Sequence, residues 1–224
     1  MLNSRVTTLR RSAGVFARML FWLPVGFFSL LLIYNTLPYF SFSGEFDFIR
    51  ERSFLFESRF YKTCFYVHIL AGAICIGAAL IQFSKYVLKK STMIHRISGR
   101  VYVFVVLCLG APTGVYMSFF AKGSFWERSL FLFMALSWFI TTWYGLAAIL
   151  KRNILAHKIW MIRSYAMAMT AVTFRIYHIV FYLLDWDHLE NYELSLWISV
   201  VGNMLVAEYI IYRKSKTYLK SFSI

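Results

Sequence analysis

The chain has 224 residues, of which 60% are hydrophobic, 20% aromatic and only 15% charged, more apolar surface than a water-soluble domain of this length can hide. Its formal net charge of +14 would suit nucleic acid if the bases formed one solvated patch, but they are scattered between apolar runs. Those features exclude a nucleic-acid-binding domain and leave an integral membrane protein.

A helix needs roughly 20 predominantly apolar residues to cross a hydrocarbon core of about 30 Å. Six stretches satisfy this, near residues 19–40, 64–86, 101–120, 129–150, 158–184 and 194–212. The expected fold is all-α: one polytopic transmembrane domain over residues 1–224, with six membrane-spanning helices. The first span comes after Arg5, Arg10, Arg11 and Arg18 and contains Pro24, where a kink is expected. Its apolar run is too long for a secretory signal and has no small-residue cleavage site, so it reads as an uncleaved span. The next loop, SFSGEFDFIRERSFLFESRFYK, mixes charges with phenylalanines in the manner of a short interfacial helix.

The second span, VHILAGAICIGAALIQF, carries His68 near its start, and the face below that histidine is mostly small: Gly72, Cys75, Ala79 and then Gln82. The third begins at MIHRISGRVY, which places His95, Arg96 and Arg100 at the mouth of an apolar run. The fourth has no histidine. The fifth is entered by AHKIWMIRSY, with His157, Lys158 and Arg163 at offsets close to those of the third, and it carries Arg175 and His178 toward its far end. The sixth holds Glu208, the one acid in the apolar part of the spans.

Charge alternates between the loops. Lys85, Lys89, Lys90, Arg96, Arg100, Lys151, Arg152, Lys158, Arg163, Arg213, Lys214, Lys216 and Lys220 join the N-terminal arginines on one side. Glu45, Asp47, Glu51, Glu57, Glu127, Asp185, Asp187, Glu190 and Glu193 lie on the other. The excess of lysine and arginine marks the first side as cytoplasmic, so both termini are expected inside. Cys64, Cys75 and Cys108 show no ligand spacing and no disulfide framework. P-loop, dinucleotide, nucleophile-elbow and HExxH signatures are all missing from the chain.

The histidines divide by depth. His157 and His178 are 21 residues apart on one helix, about 31 Å at 1.5 Å per residue. They fall toward opposite surfaces, giving an inner pair, His95 with His157, and an outer pair, His68 with His178. Imidazoles on adjacent membrane helices can bind haem iron axially while the apolar macrocycle lies between them. Small residues equally let helices pack closely, without any ligand. Arg175 lies one turn from His178 and needs an anionic or carbonyl partner; a haem propionate, Asp185 or Asp187 reached by snorkelling outward, or backbone carbonyls with Tyr177 would serve.

HILAG in the second span, HRISGRVYV at the third, the Trp and paired Thr of SWFITTWYG, and HKIWMIRSYAMAMTAVTFRIY in the fifth resemble the signature of a family of bacterial predicted membrane proteins of unknown function. The resemblance runs from about His68 to His178 and implies a multi-span helical fold without an established activity. More distantly, histidines at two depths are similar to those of two-haem transmembrane b-type cytochromes that take electrons from ascorbate or quinol. This sequence departs from that pattern, since its fourth span lacks a histidine and its fifth has two; one haem at the outer pair is favoured over two.

The expected function is a b-type haem-binding or quinone-linked electron-transfer component of the bacterial cytoplasmic membrane. His68 and His178 are the candidate iron ligands, His95 and His157 the candidate inner ligands, and Arg175 the propionate partner. Arg96, Arg100, Lys158 and Arg163 form a candidate basic pocket for an anion or a lipid headgroup. Expected partners are membrane lipids, quinone and the subunits of a larger membrane complex. Two alternatives stay open: an accessory subunit without catalytic activity that binds lipid or a partner protein, and a small-molecule transporter with Arg175 on its pathway.

Overall fold

The computed structural model describes residues 23–42, 46–82 and 84–220. The arginines before Leu23, and the residues against which a kink at Pro24 would be judged, lie outside the described residues, as does Glu45. Among the described residues every regular element is helical, and six helices are long and apolar enough to cross a membrane. The expected all-α, six-span fold is what forms.

The first span runs from Leu23 to Ser41, as α1 over residues 23–36 and then a 3₁₀ turn, Leu37–Ser41. Pro38 in that turn lacks the N–H an α-helix would require. The loop after it forms two single-turn helices, α2 (Asp47–Arg50) and α3 (Ser53–Phe56), rather than one interfacial helix. Two of their phenylalanines anchor the loop, Phe48 and Phe56 packing on Phe65 with ring centroids 5.4 and 5.0 Å away, while Phe54 is exposed. Arg52 secures the loop by donating from Nη1 to the carbonyl of Phe120, 2.6 Å distant.

The second span is α4 (Arg59–Gln82), succeeded by the short α5 (Lys85–Lys90). The third starts at Thr92, well before the apolar run near residue 101. Ser91 caps it by accepting from the N–H of Ile94, and the basic residues can lie in its first turns because Arg96 and Arg100 are exposed. This span has three parts: α6 (Thr92–Val105), a π-helical segment Val106–Gly110, and α7 (Ala111–Ser118). Pro112 cannot donate to a carbonyl in the preceding turn, and the N–H of Ala111 reaches back five residues to Val106. Such a segment acts as one inserted residue, turning the helix beyond it by roughly 100°.

The fourth span is α8 (Phe125–Leu150), the fifth α9 (Ile154–Leu183) and the sixth α10, which runs His188–Lys220. A capping box starts α8: the Glu127 carboxylate accepts from the backbone N–H of Ser124, 2.7 Å away, and from its hydroxyl. Gly123 makes this possible at φ +108°, with a would-be Cβ only 2.8 Å from Glu127 Cγ. Gly123→Ala is therefore expected to cost roughly 1–3 kcal/mol through backbone strain and contact with a buried carboxylate. A lowered unfolding midpoint in detergent would register that cost; an unchanged midpoint would show that the turn relaxes freely.

Spans two to five close into a ring: α4 packs along α6 and α7, α7 along α8, α8 along α9, and α9 returns to α4. Span six lies on α9, and span one covers the seam between spans two and five through Val25 and Leu32 against Ile76, Met169 and Val172. Between apolar helices in lipid the hydrophobic effect supplies little drive, so close packing and hydrogen bonds hold the bundle. The small face of α4 does this work. Ala71, Cys75, Ala78 and Ala79 are buried against Tyr102, Val105 and Val106, so the space below His68 is filled by the third span.

Candidate functional site

Each end of the bundle has its own polar chemistry. Arg96, Arg100, Lys151, Arg152, Lys158 and Arg163 gather at the end where α6 and α9 begin. Asp185, Asp187, Glu190 and Glu193 lie at the opposite end, where α9 stops and α10 starts.

At the basic end, spans three and five run parallel across the ring. They meet where the hydroxyls of Tyr102 and Ser164 lie 2.9 Å apart. Ser164 is also 2.7 Å from Thr142 Oγ1, Thr142 bonds the Trp138 carbonyl at 2.7 Å, and Trp138 Nε1 bonds Tyr102 Oη at 3.0 Å. The proton order is set by the inventory of donors. Thr142 has one proton and gives it to the Trp138 carbonyl, so Ser164 donates to Thr142, Tyr102 donates to Ser164, and the indole N–H donates to Tyr102. The loop closes with every hydroxyl satisfied, and Tyr102, Thr142 and Ser164 are buried.

Seven residues before Tyr102 is His95, and seven before Ser164 is His157. Two helical turns return nearly to the same face, so both imidazoles sit above this loop toward the basic end. His157 Nδ1 donates to the carbonyl of Gly145 at 2.8 Å; that oxygen only accepts, so the Nδ1 proton is fixed and Nε2 keeps its lone pair in the neutral ring. His95 is the reverse case: its Nδ1 is buried with no hydrogen-bond partner. Gln82, expected only as part of the face below His68, donates from Nε2 to the His95 carbonyl and to Ser98 Oγ, fixing the backbone beneath the imidazole.

The outer histidines face different neighbours. His68 Nδ1 is 3.1 Å from the Gly110 carbonyl and 3.1 Å from Thr113 Oγ1, on the π segment and α7. Its ring lies on Gly114, where a Cβ would come within 3.1 Å of His68 Cε1. The His178 ring instead stacks on Phe174, centroids 5.7 Å apart, and meets His188 of span six edge-on, while its backbone carbonyl accepts from Asn191 Nδ2. Where spans two and five do touch, they use Ile76, Met169 and Val172. Helical periodicity carries His178 about 120° away from Val172. The structure thus places the inner histidines on two helices that meet at Tyr102 and Ser164 and gives each outer histidine its own setting.

Among the basic candidates, Arg163 is engaged elsewhere. It makes a two-point ion pair with Glu208 of span six, Nε to Oε1 at 2.6 Å and Nη2 to Oε2 at 3.0 Å, while its guanidinium covers the Trp160 ring at 4.7 Å. Arg96, Arg100 and Lys158 remain exposed around the inner mouth. Arg175 does not reach outward to Asp185 or Asp187: Nη1 donates to the Ala171 carbonyl, 2.7 Å away and one turn toward the basic end.

Sequence reasoning missed the Tyr102–Ser164–Thr142–Trp138 loop and gave no role to His188. The loop did leave a signal, since a hydroxyl two turns after each inner histidine is a repeated spacing. Among the described residues no group of three or more His, Cys, Asp or Glu side chains converges as a metal site.

A family model described as Predicted membrane protein (DUF2306) matches residues 65–211, which includes all four paired histidines. No curated protein matches the chain, and no solved structure does.

Proposed function

The chain belongs to that family of predicted membrane proteins, and we propose that it works as an electron-transfer component holding a b-type haem between His95 and His157. The observation that carries this proposal is the register of the inner pair: each imidazole lies two turns from the Tyr102–Ser164 contact, on parallel helices that meet there above a buried hydrogen-bonded floor. His157 supports it further, because an Nδ1–H held by a backbone carbonyl fixes the ring and leaves Nε2 for iron, the usual orientation of a ligating histidine. Arg96, Arg100 and Lys158 at the mouth suit the propionates, or a lipid headgroup where those are absent. The lysine and arginine excess at this end favours a cytoplasmic placement with both termini inside, in a bacterial cytoplasmic membrane.

A quinone is the second occupant the site favours. The buried Nδ1 of His95 has no partner; in the tautomer that carries its proton there, it would donate to a ring carbonyl, and a quinone would reach it from the bilayer.

The test is the visible spectrum of the full chain purified in mild detergent from haem-replete cells. A reducible Soret band that disappears in His95→Ala and His157→Ala, and persists in His68→Ala, is the expected result. Colourless protein would remove the haem; quinone then recovered in stoichiometric amount from the wild type, and lost in His95→Ala, would establish the second occupant. Colourless protein without bound quinone would sink both.

A further inference from the structure

The fifth histidine lies beside an outer one. His188 is the first residue of α10, and its ring centroid is 6.0 Å from that of His178 with the planes at 64°. Two imidazoles sharing one ion through metal–nitrogen bonds of about 2.0–2.1 Å hold their centroids roughly 5 to 6.5 Å apart, depending on the angle at the metal. The observed separation falls within that span, and the exposed His188 ring can turn to direct a nitrogen at an ion held by His178.

Three further observations point to a ligand. His178 Nδ1 is buried and has no hydrogen-bond partner, a state that costs a polar group its hydration without return. The residue is held firmly, its ring stacked on Phe174 and its carbonyl receiving Asn191 Nδ2 at 3.1 Å, whereas His188 is exposed and able to turn. The surroundings also favour a cation: Asp185, Asp187, Glu190 and Glu193 are exposed around the pair, and the nearby Arg175 directs its guanidinium to Ala171, away from it.

We propose that His178 and His188 form a binding site for a divalent transition-metal ion at the acid-bearing end of the bundle, with water completing the coordination. Imidazole nitrogen selects copper, nickel and zinc, with copper bound more tightly than zinc, while magnesium and calcium prefer oxygen ligands. The site is separate from the inner pair, shares no residue with it and does not depend on what that pair binds.

The test uses the full chain in detergent, titrated with Cu²⁺ and Zn²⁺ by calorimetry, with nitrogen couplings in the Cu²⁺ electron paramagnetic resonance spectrum as a second readout. One equivalent of Cu²⁺ should bind with two imidazole nitrogens, Zn²⁺ should compete, and Mg²⁺ in excess should not. His188→Ala, an exposed change that leaves the core intact, should weaken binding by roughly tenfold or more, the range that loss of even a supporting group costs a metal site. His178→Gln should do the same while His95→Ala and His68→Ala do not. Equal Cu²⁺ affinity in the wild type and His188→Ala, or copper lost only in His68→Ala or His95→Ala, would overturn the assignment.

Discussion

Ser164→Leu is expected to be among the most damaging single changes in the chain, lowering stability by about 3 kcal/mol. Ser164 is fully buried at the point where spans three, four and five meet. Leucine would force those helices apart, an overpacking that costs about 1–3 kcal/mol. It would also leave the Tyr102 hydroxyl without an acceptor and Thr142 without a donor. Ser164→Ala removes the hydroxyl and keeps the fit, so its cost should be about 1 kcal/mol, two interhelical hydrogen bonds at the ~0.6 kcal/mol typical of each in a membrane bundle. Tyr102→Phe falls between them, because it strips Trp138 Nε1 of its acceptor. Unfolding midpoints of the three variants in detergent should rank in that order. A leucine variant as stable as the alanine one would mean that the contact is not a packing constraint.

The second large effect is at the ion pair between spans five and six. Glu208→Ala should cost about 2–3 kcal/mol, the scale of charge-assisted, two-point hydrogen bonds, while Arg163 and Glu208 both changed to leucine should be nearly neutral. The side chains are 29% and 54% exposed, which sets the figure below that of a fully buried pair. Arg163→Lys would keep the charge and lose the fork geometry and the stacking on Trp160. A double-mutant cycle measures the coupling directly. Additive losses would show that the two groups stand near each other without supporting the helix contact.

The six spans were legible because an apolar run of bilayer length finds few places to be buried except in a bilayer. Their starts were less so. The third span begins at Thr92 because Ser91 caps it and the bases turn outward, so His95 lies inside a helix and not ahead of one. That fixes its register with Tyr102. The pairing of Arg163 with Glu208 was within reach, since Glu208 stood out as the one acid in an apolar stretch at matching depth. The partner of His68 was not. Helices apolar on all sides give no hint of which neighbour a given face meets, and only packing reveals that His68 turns to Gly110 and Thr113 while His178 turns to span six. For the same reason the small residues below His68 read equally well as room for a macrocycle or as a seat for Tyr102 and Val106; they are the seat.

The wide turn at Val106–Gly110 separates the aiming of one half of its helix from the aiming of the other. Deleting a single residue there would restore a uniform spiral and swing the carbonyl of Gly110 away from His68, yet leave His95 and Tyr102 where they are. The segment is therefore a swivel: chemistry at one surface of the membrane can be rebuilt by insertion or deletion while the opposite surface keeps its alignment.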